Sequence, residues 1–177
     1  MRDNAADSRF LAHLDFRELC REWRPRAAAY CRVFRGLSDQ DREDVVGEAL
    51  ARAWAARDRF DPARPFAPWF LTIVRRAALD ALARPGRRTS PECVDDVPSP
   101  VPGAEEAAVR DSEADFVRRF VAALDPRDRE LASLVYGQGL GLAEAARVAG
   151  MPEGTAKWRM HEVRKGLRKA WEEEYGG

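Results

Sequence analysis

The chain has 177 residues, with 30 Lys plus Arg balancing 30 Asp plus Glu. That length admits one ordinary domain or two small ones, and a net charge of zero excludes no partner, because an average can hide segregated charge. Three cysteines without a CxxC give no disulfide framework, and no apolar run approaches the ~20 residues that cross a bilayer, which excludes a membrane span and points to a soluble cytoplasmic protein.

Helical periodicity runs through the chain and strand signals are nearly absent. Phe16, Leu19, Cys20 and Trp23 fall at i, i+3, i+4, i+7 before Pro25, which interrupts that helix or restarts it. Ala27, Tyr30, Cys31 and Phe34 continue the stripe to a stop near Gly36; Cys20 and Cys31, at helical spacing, read as packed thiols. Ser38, three residues before Asp41, forms a capping box for a helix whose apolar stripe is Val46, Ala49, Leu50, Ala53 and Trp54. The loop "RFDPARP" leads to a helix carrying Phe66, Trp69, Phe70, Ile73 and Ala77 on one face, expected to stop at Pro85-Gly86.

Residues 85–115 hold prolines at 85, 91, 98, 100 and 102, and within 91–115 there are 8 acids against 1 base. Too few apolar side chains remain for a core, so the segment is expected to be a flexible acidic linker. Four helices are expected beyond it, with Asp125 as an N-cap and Pro126 as a first helical residue. The expected fold is all-α: two small helical domains joined by that linker, with no internal repeat.

The segment 142–168 has the punctuation of a helix-turn-helix. A short helix from Leu142 to Ala149 ends at Gly150, and Pro152 opens the next one. Ala156, Met160, Val163 and Leu167 repeat at 4-3-4 spacing and are expected to face the core. Lys157, Trp158, His161, Glu162, Arg164 and Lys165 then face solvent or a ligand, and within 155–170 there are 6 basic residues and one acid. A solvated surface helix is the plain alternative; the turn ahead of the helix favours docking in a DNA major groove.

Catalytic signatures are missing. His13 and His161 lie far apart, there is no HExxH, GxSxG or P-loop, and "GQGLG" at 137–141 lacks the third glycine of a dinucleotide fingerprint. No enzyme activity, cofactor or metal site is expected.

The C-terminal segment resembles region four of extracytoplasmic-function sigma factors, the promoter-specificity subunits of bacterial RNA polymerase. The shared frame is Glu144, Ala146, Gly150, Gly154-Thr155, Lys157, Arg159 and Arg164. Residues 41–88 are similar to region two of the same family, through Glu43-Asp44, Glu48, Arg52-Ala53-Trp54, Phe60, Phe66, Trp69, Ile73, Arg75 and Asp80. The two motifs stand in the expected order and cover most of residues 10–172.

The resemblance implies a region two-like domain over 8–84, a linker over 85–115 and a region four-like domain over 116–174. It implies binding to the clamp helices of core polymerase through Asp44, Val45, Glu48 and Arg52, with a further contact to the polymerase flap region. It implies minus-ten contacts by Phe60, Trp69, Arg75 and Arg76, of which Trp69 reads first as a core residue and Phe60, in the loop, is the better base contact. It implies minus-thirty-five contacts by Thr155, Lys157, Trp158, Arg159, His161, Glu162, Arg164 and Lys165. Promoter DNA, core polymerase and an anti-sigma protein are the partners that follow.

Several positions depart from the family. Gly47 replaces a Gln, Arg76 an Asn, Glu162 an Arg and Trp158 a small polar residue, while Ala145, Ala149 and Ala156 replace larger aliphatics. Glu162 can accept from cytosine N4, and Trp158 can pack on a thymine methyl. An autonomous helix-turn-helix regulator and a degenerate sigma-like protein acting through protein partners are the competing readings.

Overall fold

A computed structural model describes residues 16–61, 63–84 and 104–176. The described chain forms seven helices and no strand: α1 (Phe16–Cys31), α2 (Asp39–Ala55), α3 (Phe66–Ala83), α4 (Ala104–Ala123), α5 (Pro126–Ala132), α6 (Leu142–Ala149) and α7 (Glu153–Tyr175). A short 3-10 turn at Arg57–Arg59 follows α2, and α5 widens into a π turn over Ser133–Gly137.

The first three helices pack mutually. Pro25 neither ends nor restarts α1 but lies inside it. A proline there removes a backbone hydrogen bond and costs roughly 3 kcal/mol. Full burial of Trp23, Ala27, Tyr30 and Cys31 on either side offsets that cost. Trp23 meets the edges of Phe66 and Phe70 at centroid distances of 5.4 and 6.1 Å, which ties α1 to α3. The Ser38 cap forms as its sequence implies: Asp41 N donates to Ser38 Oγ at 3.2 Å, and Ser38 N donates back to Asp41 Oδ2 at 2.9 Å.

The inward stripe of α2 is Val45, Val46, Ala49 and Ala53. Trp54, expected on it, is 49% exposed and carries the Arg57 guanidinium over its ring at 4.3 Å. Cys31 is buried and desolvation pushes its thiol up to about 12. Only the thiolate reacts, so iodoacetamide at pH 8 is expected to leave Cys31 unmodified in the folded protein and to label it in urea, as read by peptide mass spectrometry.

Helix α4 begins at Ala104, well inside the segment expected to be linker. The last proline of that segment is Pro102, and the run "AEEAAVRDSEAD" after it is rich in strong helix formers. The remainder of the expected linker, 85–103, lies outside the described residues, as do His13 and Cys93. Phe116 contacts Trp171 and Tyr175 edge-on at 5.3 and 5.7 Å, which fastens α4 along α7.

Asp125 caps α5 by accepting from Arg127 N at 2.9 Å. Helix α6 ends on Gly150 at φ 67°, a left-handed conformation that costs glycine no Cβ clash. Two hydrogen bonds close this end: Met151 N donates to Ala146 O at 3.0 Å and Gly150 N to Arg147 O at 3.2 Å.

The two modules are in contact. Helix α3 packs on α6, and α1 reaches the π turn. Ala145, Ala149 and Ala156 are buried in one core cluster that also includes Ala77, Ala78 and Ala81 of α3. Small side chains on both helices permit close approach, so α3 fills space that larger aliphatics would occupy.

Candidate polymerase and promoter interfaces

Helix α7 buries Ala156, Met160 and Val163 and leaves Leu167 half-buried, so its opposite face is free for contact. Thr155, Lys157, Trp158, His161, Glu162, Arg164 and Lys165 are all exposed, Trp158 to 61%. These side chains come together on the outer surface of the second helix of a helix-turn-helix. Arg159 stands apart from them. It is half-buried and donates to Asp128 at 2.7 Å, with Asp125 at 3.6 Å, so it fastens α7 to the start of α5. Arg164 donates through Nε to the Tyr136 hydroxyl at 2.8 Å, which braces its guanidinium from the π turn.

The four candidate minus-ten residues divide into two groups. Phe60 and Trp69 lie with ring centroids 4.9 Å apart, and Phe66 closes the cluster at 5.7 Å from Phe60. Both Phe60 and Trp69 are half-buried, and Arg76, one heptad beyond Trp69 on α3, is exposed. Half-buried rings with an exposed cation two turns along α3 are chemically suited to stacking a base and holding a neighbouring phosphate. Arg75 instead points across the seam between modules and donates to Glu130 of α5 at 2.6 Å.

On α2, Asp44 is exposed and accepts from Gln40 at 3.1 Å, one turn earlier. Glu48 is half-exposed and accepts from Arg52 at 2.7 Å and Arg84 at 3.2 Å. Arg52 also donates to Asp80 at 2.8 Å, and these two carboxylates, Asp80 first, raise its pKa. The network pins α2 to α3 and fixes which edge of α2 faces outward. Val45 is 1% exposed and belongs to the core, so it braces α2 from within and does not present a contact.

Gly47 lies exposed on the same outer edge, and a Cβ there would meet nothing within 4 Å. Glycine inside a helix costs about 1 kcal/mol relative to alanine. Gly47→Ala is therefore expected to raise the melting temperature by roughly 2–4 °C in a calorimetric scan.

Sequence periodicity did not single out Glu130, Tyr136 or Asp128. Each acts on a residue 28 or more positions away, and nothing in local spacing signals such pairings.

Comparison with known proteins follows the same division into modules. The family model Sigma-70 region 2 matches residues 19–88, and Sigma-70, region 4 matches residues 120–169. The ECF RNA polymerase sigma factor SigF of Caulobacter vibrioides is 35% identical over 134 residues, covering 72% of this chain and 69% of that protein. The chain belongs to the extracytoplasmic-function sigma factors.

The sigma factor CarQ of Myxococcus xanthus is 28% identical, covering 72% of each chain. The structure of CnrH in complex with the cytosolic domain of CnrY aligns with TM-score 0.61 at 26% identity, covering 94% of this chain and 95% of that one. RpoE of Bartonella quintana in complex with the anti-sigma factor NepR shares the fold, with TM-score 0.68 at 23% identity over 89% of this chain and 97% of that one.

As an alternative sigma factor, the protein binds bacterial RNA polymerase and promoter DNA and directs transcription initiation. The reading as an autonomous regulator, which has no use for a region 2, falls away. Among the described residues no helix is long and apolar enough to cross a membrane.

Proposed function

We propose that this sigma factor divides its work among three surfaces of its region 2 and region 4 modules. The outer edge of α2, led by Asp44 with Glu48 and Arg52 beside it, docks on the polymerase clamp helices, and region 4 contacts the flap. Phe60, Trp69 and Arg76 hold the melted minus-ten strand, joined by Arg75 once the seam opens. Lys157, Trp158, His161 and Glu162 read the minus-thirty-five element, while Thr155, Arg164 and Lys165 hold phosphates.

The observation that best supports this reading is the sidedness of α7: Ala156, Met160 and Val163 are buried, while Thr155, Lys157, Trp158, His161, Glu162, Arg164 and Lys165 stay exposed. Phosphate contacts set position and base contacts set sequence, which is how this set divides. Arg159, tied to Asp128 and Asp125, acts by orienting α7. An anti-sigma protein is the natural regulator of these surfaces: RpoE is found in complex with the anti-sigma factor NepR, and CnrH with the cytosolic domain of CnrY. The protein works in the cytoplasm, where polymerase is found, and needs no catalytic chemistry of its own.

The test is promoter opening. Holoenzyme reconstituted from this chain and core polymerase is expected to select promoters from a random library and to make their minus-ten thymines reactive to permanganate. A stable holoenzyme that opens none of them would support the degenerate, partner-binding reading instead.

A further inference from the structure

The seam between the modules is centred on one carboxylate. Glu130, from the region 4 helix α5, has a side chain only 9% exposed. Its Oε1 accepts from Arg75 Nε at 2.6 Å and from the Tyr30 hydroxyl at 2.8 Å, and both donors belong to region 2. Burial first, then the charge of Glu130, raises the Tyr30 hydroxyl well above its ordinary pKa, so it remains a donor.

Further polar contacts flank this group. Arg26 donates to the Gln138 carbonyl at 2.8 Å, and the Gln138 amide donates to the Arg26 carbonyl at 3.3 Å. Arg35 donates to the Ala122 carbonyl. A Cβ on Gly150 would lie 3.6 Å from Arg75 Nη1, so the helix-turn-helix turn itself sits beside that guanidinium.

This arrangement cannot persist on a promoter. Elements centred about 25 base pairs apart are separated by about 85 Å of duplex at 3.4 Å per pair. A compact chain of this length has a radius of gyration of about 16 Å. The modules must part for both elements to be read at once. Burying an ion pair sacrifices hydration that opening restores, so the pair gives a reversible contact rather than a permanent one.

We propose that the closed arrangement is an autoinhibited state of the free sigma factor, in which Glu130 of region 4 occupies Arg75 of region 2 in place of a DNA phosphate. The proposal rests on the reading of Arg75 as a strand contact. The recognition face of α7 and the outer edge of α2 stay exposed in the closed state, so what the latch withholds is Arg75 and the spacing between the modules. Core polymerase then has to bind an open form that is only a fraction of the total, and its apparent affinity falls by that fraction.

The experiment compares the full-length wild type with Glu130→Gln and Tyr30→Phe, using small-angle X-ray scattering of the free proteins and titration into purified core polymerase. Wild type is expected to scatter as a compact particle. Glu130→Gln is expected to expand it and to tighten core binding by about 3- to 10-fold, with a smaller gain for Tyr30→Phe and unchanged helical circular dichroism. An extended wild type would overturn the proposal, as would folded variants that stay compact with unchanged core affinity. If Glu130→Gln loses helix, the wild-type scattering and Tyr30→Phe decide. Arg75→Ala in holoenzyme checks the underlying reading separately. Undiminished minus-ten opening in that variant, with the seam still released by Glu130→Gln, would overturn the phosphate-substitute role while locating the fault in the assignment of Arg75.

Discussion

Asp44→Arg is expected to abolish productive holoenzyme formation, weakening core binding by about 30- to 1000-fold, the range set by losing a central interface residue worth roughly 2–4 kcal/mol. Asp44 is exposed on the outer edge of α2, with Gln40 as its neighbour one turn away. It takes no part in the Glu48–Arg52–Asp80 network that secures α2 to α3. Surface changes away from such networks usually alter stability by less than about 0.5 kcal/mol. The variant is therefore expected to keep its melting temperature and lose transcription, a combination that a misfolded protein would not show. If Asp44 meets a cation on the polymerase, an Arg there adds like-charge repulsion to the lost contact, so Asp44→Arg is expected to weaken binding more than Asp44→Ala.

Glu162→Arg is expected to change which promoters are used without changing core affinity. Glu162 is exposed on α7, between His161 and the buried Val163. A carboxylate in the major groove can accept from cytosine N4 but cannot approach the acceptor edge of guanine. Arginine reverses that pattern, and a good base contact of this kind discriminates by about 1–3 kcal/mol, or roughly 5- to 150-fold. Selection from a library randomised over the minus-thirty-five element should show one position move from cytosine to guanine. Unchanged selection at every position would mean that Glu162 faces solvent and reads no base.

The recognition module was legible because each of its signals is local. Gly150 needs its left-handed conformation, Asp125 caps α5, and Ala156, Met160 and Val163 lie at helical spacing, so three independent short-range rules agree. The core of region 2 was legible for the same reason, apart from its edges. Trp54 sits one position from the buried Ala53, and periodicity alone could not tell a packed ring from one covered by Arg57. Val45 was assigned outward by family position, whereas the pairing of Val45 with Val46 and Ala49 turns it inward.

The start of α4 is hidden by the proline-rich, apolar-poor composition of 85–115 taken as a whole, although the residues after Pro102 have high helix propensity. The seam was invisible for a different reason. Arg75 and Glu130 are 55 residues apart and Tyr30 and Glu130 are 100 apart, each unremarkable in its own helix. Only the docking of α3 on α6 makes one site of them, and sequence spacing carries no record of docking between modules.

The most direct measurement is a fluorescence titration of the labelled full-length protein into purified bacterial core RNA polymerase, with Asp44→Arg alongside. Saturable one-to-one binding that the variant loses is the predicted result. Failure of the wild type to bind an active core enzyme, or equal binding by both proteins, would contradict the assignment of α2 as the polymerase-docking surface.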